Sequence, residues 1–201
     1  MPQVILILGD SFVKRLRVYL ERHETFNLDL DYSGHKVFIK GWGGKKIVDL
    51  CSAQIFDIVK SVSPEIVLLE VGSNDLDDGN ISFATMLQVL TNFTMTLKNV
   101  YNVSTVAFME IFFRTKVCRG DWSSTTCLND AIFDFNKRCK EISMLPNPPF
   151  YFWHHKGLVS NWYKYICFDG VHLNDEGLLK FYSSVRNATI HFSNKSKSYL
   201  Y

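Results

Sequence analysis

Five apolar runs, Val4–Leu8, Lys36–Lys40, Ile66–Val71, Thr105–Phe112 and Phe150–Trp153, have the length and composition of strands buried in a parallel sheet. Between them the apolar positions recur at helical spacing. Phe12, Leu16, Tyr19 and Leu20 share one face of a first helix. Ile47, Leu50, Cys51, Ile58 and Val59 mark a second, bounded by Pro64, and Phe83, Leu87, Leu90, Phe93, Leu97 and Val100 a third. Ile132, Phe135, Cys139 and Ile142 mark a fourth. A last helix starts at Asn174 as N-cap, carries Asp175 and Glu176 in its first turn, and buries Leu178, Leu179 and Tyr182. Such alternation predicts an α/β protein: an open parallel sheet with helices on both faces and right-handed crossovers.

The chain has 201 residues with no repeat, low-complexity tract or linker, so residues 1–201 read as one domain. A polar stretch, Arg114–Asn129, reads as an inserted loop at the carboxyl edge of the fourth strand, where it can cover a site. A short tail holds Lys195 and Lys197. The net charge of +2 comes from scattered residues, which argues against direct nucleic-acid binding. Lys14, Arg15, Arg17 and Arg22 cluster on the first helix and read as a solvated face.

Cys51, Cys118, Cys127, Cys139 and Cys167 show no metal-ligand spacing. Cys51 and Cys139 read as buried free thiols; Cys118 and Cys127 bracket the polar loop and are either paired or reduced. His154 and His155, adjacent at the end of a strand, point to opposite faces and read as structural, with no metal. His23, His35 and His191 read as surface residues. No signal peptide or membrane span is visible, so a cytoplasmic location is expected. Asn-x-Ser/Thr sequons at Asn80, Asn92, Asn102, Asn187 and Asn194 would matter in a secreted protein; in an Asn- and Ser-rich chain most of them read as coincidence.

The chemistry gathers at the strand ends. After the first strand comes Gly9-Asp10-Ser11; a serine at a strand-to-helix turn sits beside free N–H groups and the positive end of a helix dipole. The second strand leads into Gly41-Trp42-Gly43-Gly44, the third into Gly72-Ser73-Asn74-Asp75, and beyond the fifth lies Asp169-Gly170-Val171-His172. His172 can take the proton of Ser11, with Asp169 fixing its tautomer from three residues upstream. Backbone N–H groups of Ser11 and Gly44 and the Asn74 amide can hold an oxyanion. Asp10 and Asp75 read as carboxylates that brace turns. Ser11 as a mere helix cap is the bland alternative.

These four blocks, in this order, resemble those of the SGNH (GDSL-like) serine hydrolases over residues 4 to about 185, nearly the whole chain. The resemblance implies a three-layer α/β/α sandwich with a five-stranded parallel sheet of flavodoxin-like kind. It also implies an esterase with Ser11, Asp169 and His172 as its triad and with Ser11, Gly44 and Asn74 as its oxyanion hole. Lys45 and Lys46 stand where the family's glycine block has small polar residues, leaving Gly43 as an alternative donor.

The wording Ile-Leu-Gly-Asp-Ser-Phe-Val-Lys-Arg-Leu further resembles esterase domains in first-open-reading-frame proteins of LINE-type retrotransposons. That likeness implies a cytoplasmic ribonucleoprotein and a contact with lipid or a membrane surface. The expected activity is hydrolysis of lipid or short-acyl esters through an acyl-enzyme, without cofactor or metal. The rivals are a carbohydrate O-acetylesterase and a catalytically silent binding domain. Trp42, Leu76, Phe168 and Val171 flank the blocks and are the candidates for a substrate pocket.

Overall fold

The computed structural model describes residues 3–197. Five strands form one parallel sheet: β1 (Val4–Gly9), β2 (Lys36–Gly41), β3 (Ile66–Glu70), β4 (Thr105–Met109) and β5 (Tyr151–Trp153), in the order β2-β1-β3-β4-β5. Six helices accompany them: α1 (Ser11–Arg22), α2 (Ala53–Val62), α3 (Ser73–Asp78), α4 (Phe83–Tyr101), α5 (Thr125–Ser143) and α6 (Asp175–Lys197).

Strand pleating divides the core. Ile5 and Ile7 face a layer built by Phe12 and Leu16 of α1 with Phe181, Val185 and Phe192 of α6. Leu6 and Leu8 face the opposite layer, with Ile55 of α2, Leu90 and Phe93 of α4, and Ile132 and Phe135 of α5. The expected three-layer α/β/α arrangement is therefore the observed one. The chain leaves β1 on one side for β2 and on the other for β3, so the order reverses at β1. Ligand sites of such sheets lie at that crevice, above the carboxyl ends.

Gly9 closes β1 opposite Gly41 and Glu70. A side chain there would put Cβ 2.3 Å from the Glu70 carbonyl oxygen and 2.4 Å from Val13 Cγ2. Only glycine lets α1 start this close to β3.

Several local readings change. The second helical pattern splits into a short 3-10 turn, Ile47–Cys51, and α2, because Ser52 is extended and its hydroxyl bonds back to the Asp49 carbonyl. That turn leaves Cys51 exposed rather than buried, whereas Cys139 is buried as expected; all five cysteines are free. Residues Thr125–Asn129 of the expected loop already belong to α5, which Ser124 caps through the Cys127 N–H. Leu179 and Val100 are exposed, and the α6 core stripe passes instead through Leu178, Phe181 and Val185. His35 is buried, its Nδ1 beside the Ser33 carbonyl. Helix α6 runs through Lys197, so Lys195 and Lys197 are helical; the expected tail after them lies outside the described residues.

Candidate active site at the carboxyl edge of the sheet

Asp10, not Ser11, caps α1: its carboxylate accepts the Phe12 N–H at 2.9 Å. Ser11 is thereby released to be the first helical residue. Its hydroxyl donates to His172 Nε2 at 2.9 Å, and His172 Nδ1–H donates to Asp169 Oδ2 at 2.8 Å. The tautomer follows from the bonds each nitrogen makes. Asp169 Oδ1 accepts the N–H groups of Val171 and His172, both at 2.9 Å, which folds the Asp169–His172 loop around the carboxylate.

Partial burial would raise the Asp169 carboxyl, but those two N–H bonds and the His172 ring outweigh it and hold it at about 2. Burial lowers His172 below the usual imidazole value, against the pull of Asp169 and with help from the Arg15 cation. The pair is a carboxylate beside a neutral imidazole near pH 7. Arg15 reaches Asp169 at 3.4 Å, a contact that the sequence did not announce although Arg15 stood out in its cluster.

Asn74 lies in the first turn of α3, a helix too short to show apolar periodicity. Its Nδ2 donates to the Lys45 carbonyl at 2.9 Å and lies 3.5 Å from Asp10 Oδ2. Asp75 accepts the Ile47 N–H at 2.9 Å and ties the glycine block to α3; burial first of all raises it to about 6. Gly44 adopts φ +74°, in the left-handed region that favours glycine. Burial likewise raises Asp10 to about 7, against the Phe12 N–H bond.

The four expected pocket residues do not converge. Leu76 is sealed in the core, Trp42 packs against the same core, Phe168 is fully exposed, and Val171 is half-buried in the triad loop. Instead, a groove of about 540 Å³ opens beside Ser11 and His172, between α1 and the start of α6. Phe168 projects into solvent from the tight turn in which the Gly170 N–H donates to the Cys167 carbonyl. Among the described residues no cluster of three or more His, Cys, Asp or Glu side chains is arranged to hold a metal ion.

Two further polar systems lie beneath the site. Arg114, buried, bonds Ser73 Oγ at 2.7 Å and Asp77 at 2.9 Å, pinning the inserted segment to α3. Below it, His155 Nδ1 lies 2.8 Å from Ser184 Oγ and Nε2 lies 3.3 Å from Glu70 Oε2. Burial pushes Glu70 well above the carboxylate range, helped by the charges of Asp10 and Glu110, and drops His155 to about 3. Burial favours the neutral form of both groups; in that form the Glu70 O–H donates to His155 Nε2 and the Nδ1–H of His155 donates to Ser184. Sequence reasoning missed this chain because Glu70 sits inside an apolar run and its partner is 85 positions away.

No family model matches the chain, and no curated protein matches it. Solved structures do. A Streptococcus pneumoniae protein provisionally described as a platelet activating factor has TM-score 0.69 at 16% identity, over 94% of this chain and 84% of that one. The acetylxylan esterase Axe2 of Geobacillus stearothermophilus has TM-score 0.64 at 16% identity, over 91% and 92%. The psychrotrophic esterase EstA of Pseudoalteromonas has TM-score 0.60 at 15% identity, over 96% and 99%. These likenesses establish the fold.

Proposed function

We propose that this chain is a serine esterase that hydrolyses carboxylic esters through an acyl-enzyme at Ser11. One observation carries the reading: the unbroken relay from Ser11 Oγ through His172 to Asp169, with the imidazole neutral and the carboxylate ionised. His172 takes the Ser11 proton as Oγ attacks the carbonyl carbon. It returns that proton to the leaving alkoxide as the C–O bond breaks. Water then repeats the sequence, releasing the acid and restoring the Ser11 hydroxyl.

The tetrahedral oxyanion is held by the Ser11 N–H at the start of α1, the Gly44 N–H and the Asn74 amide. One Asn74 hydrogen is spent on the Lys45 carbonyl; the other meets Asp10 only at 3.5 Å and is available to the oxyanion. Asp169, accepting two N–H groups and the imidazole, holds the ring in its reactive tautomer and stabilises the imidazolium. No metal or cofactor enters these steps.

Short acyl groups, acetyl among them, are the proposed substrates, in keeping with the acetylxylan esterase name of one structural relative. The experiment is hydrolysis of p-nitrophenyl esters of graded chain length, with labelling by a fluorophosphonate. Turnover that falls with chain length and a single label on Ser11 are expected. Absence of both would leave the silent binding domain.

The narrower likeness to retrotransposon first-open-reading-frame esterases rests on the Gly9-Asp10-Ser11 neighbourhood and the compact size, and the structural relatives lend it no support. With it stand two further proposals, a membrane-surface contact and a cytoplasmic location. Liposome co-sedimentation tests the first. The second is tested by the five sequon asparagines, all exposed: a glycosidase-sensitive mass on the native protein would overturn it.

A further inference from the structure

The groove beside Ser11 carries more charge than ester hydrolysis requires. Ser11, Lys14, Arg15, Val18, Tyr19 and Arg22 all line it. They form one face of α1, at spacings of three and four, so the helix that positions the nucleophile also lays a stripe along the groove. From Ser11 to Arg22 that stripe covers roughly 16 Å of helix axis. Lys14 and Arg15 stand about one turn from the nucleophile, Val18 and Tyr19 provide an apolar middle, and Arg22 closes the far end.

Three cations therefore face a groove whose lining holds a single carboxylate, Asp175. Arg17, on another side of α1, pairs with Glu21 at 3.4 Å. Arg15 leans on Asp169 in a half-exposed pair. Lys14 and Arg22 have no carboxylate within ion-pair distance among the described residues. The solvated face read from the sequence is thus two things: an outer side where Arg17 pairs with Glu21, and an inner side where Arg15 leans on Asp169 while Lys14 and Arg22 have no carboxylate partner among the described residues.

The lining also tells which half of an ester the groove receives. Ser11 and His172 border it, and Gly43 touches its rim, whereas Asn74 and Gly44, the donors assigned to the oxyanion, do not. The carbonyl oxygen points toward Asn74 and Gly44, and the leaving oxygen toward His172, which must protonate it. The groove lies on the leaving-group side.

We infer that this groove selects esters whose alcohol portion carries an anionic group, with Lys14 and Arg22 determining that specificity. The inference rests on the esterase reading of Ser11. A carboxylate, sulfate or phosphate close to the ester meets Lys14 beside Arg15. One set further along the alcohol passes over Val18 and Tyr19 to Arg22.

Two probe pairs test it at low ionic strength. The short pair is 4-acetoxybenzoate and its neutral analogue 4-acetoxybenzamide. The long pair is 4′-acetoxybiphenyl-4-carboxylate and its amide. Each rate is divided by that of hydroxide hydrolysis. The expected anionic-to-neutral ratio of kcat/KM exceeds one by about threefold to fivefold per engaged cation, a typical yield of an exposed ion pair. It collapses toward one at about 0.5 M NaCl, where the screening length falls to a few ångströms.

Lys14→Glu should cut the ratio for the short pair, with Lys14→Arg restoring it, and Arg22→Glu should cut the ratio for the long pair. Arg17→Glu, off the groove, should move neither. Equal efficiencies for anionic and neutral esters, or a ratio lowered as much by Arg17→Glu as by Lys14→Glu, would overturn the inference while leaving the esterase reading standing. No hydrolysis of any probe would overturn both.

Discussion

Ser11–His172–Asp169 and Ser184–His155–Glu70 are built from the same three kinds of group in the same sequence; the serine links are 2.9 and 2.8 Å, whereas the acid link is 2.8 Å in the first and 3.3 Å in the second. The first sits at the strand edge, partly wet, and borders the α1 groove. The second is buried between β3 and α6, although Ser184 reaches the wall of another hollow, about 680 Å³, on the β5 side. What separates them is protonation. Two N–H groups and an imidazole keep Asp169 charged, and the carboxylate makes His172 an acceptor toward serine.

Among the described residues, Glu70 has no such pair of N–H donors. Burial favours its protonated form, whose O–H donates to His155 Nε2, and His155 then donates from Nδ1 to Ser184 rather than accepting. Ser184 also accepts the Trp153 indole N–H at 3.0 Å. A general base needs an ionised acid behind it; the residue trio alone does not make one.

The contrast can be broken most directly at the two serines. Ser11→Ala should reduce kcat/KM for p-nitrophenyl acetate by on the order of 10⁴–10⁶ and abolish fluorophosphonate labelling, whereas Ser184→Ala should leave turnover within about threefold. Loss of labelling in the Ser184 variant instead would reverse the assignment. The acids come next. Asp169→Asn should cost about 10⁴ in turnover by imposing the wrong imidazole tautomer. Glu70→Gln replaces a neutral donor by another neutral donor and should change turnover little.

Asn74→Ala should cost about 10²–10³ in kcat, the usual loss for one oxyanion donor. The pH profile sharpens the comparison further. Protonated His172 cannot accept from Ser11, and its pKa lies below the usual imidazole value. Rates should therefore hold from pH 8 through 6.5 and fall only at lower pH. A fall centred above 6.5 would contradict that order.

Stability gives the smallest effects. Ser184→Ala leaves the His155 and Trp153 donors without their acceptor and should cost about 1–3 kcal/mol in urea unfolding. Because Glu70 is raised in the fold, its contribution is complete below its unfolded pKa and is lost as pH rises through the folded value. Glu70→Gln should flatten that decline. Asp169 runs the other way: its contribution is complete above about 4 and disappears as pH falls toward about 2.

How much of this could be read in the sequence depends on distance along the chain. Strand runs and helical periodicities are local, and all five strands emerged within a few residues of their limits. The strand-end blocks were legible because a parallel sheet sends every carboxyl end to one edge, and Ser11 and His172 do lie 2.9 Å apart. Contacts without local periodicity stayed hidden. Arg114 reaches Ser73 across 41 positions, and Ser184 reaches His155 across 29. The expected pocket residues scatter for a related reason: proximity to a motif does not decide whether a side chain turns inward, as Leu76 does, or out to solvent, as Phe168 does.

The inserted segment over the site is fastened at closely spaced points. The Arg114 N–H donates to Asn129, Thr115 N–H to the Gly170 carbonyl, Cys118 N–H to the Asp77 carboxylate and Gly120 N–H to the Asp77 carbonyl. A gate that swung open to admit substrate would have to break these together and strand the Arg114 guanidinium from its buried partners. Amide hydrogen exchange at Thr115, Cys118 and Gly120 should accordingly be as slow as in α3 itself, and an ester approaching Ser11, as proposed, should meet a standing wall.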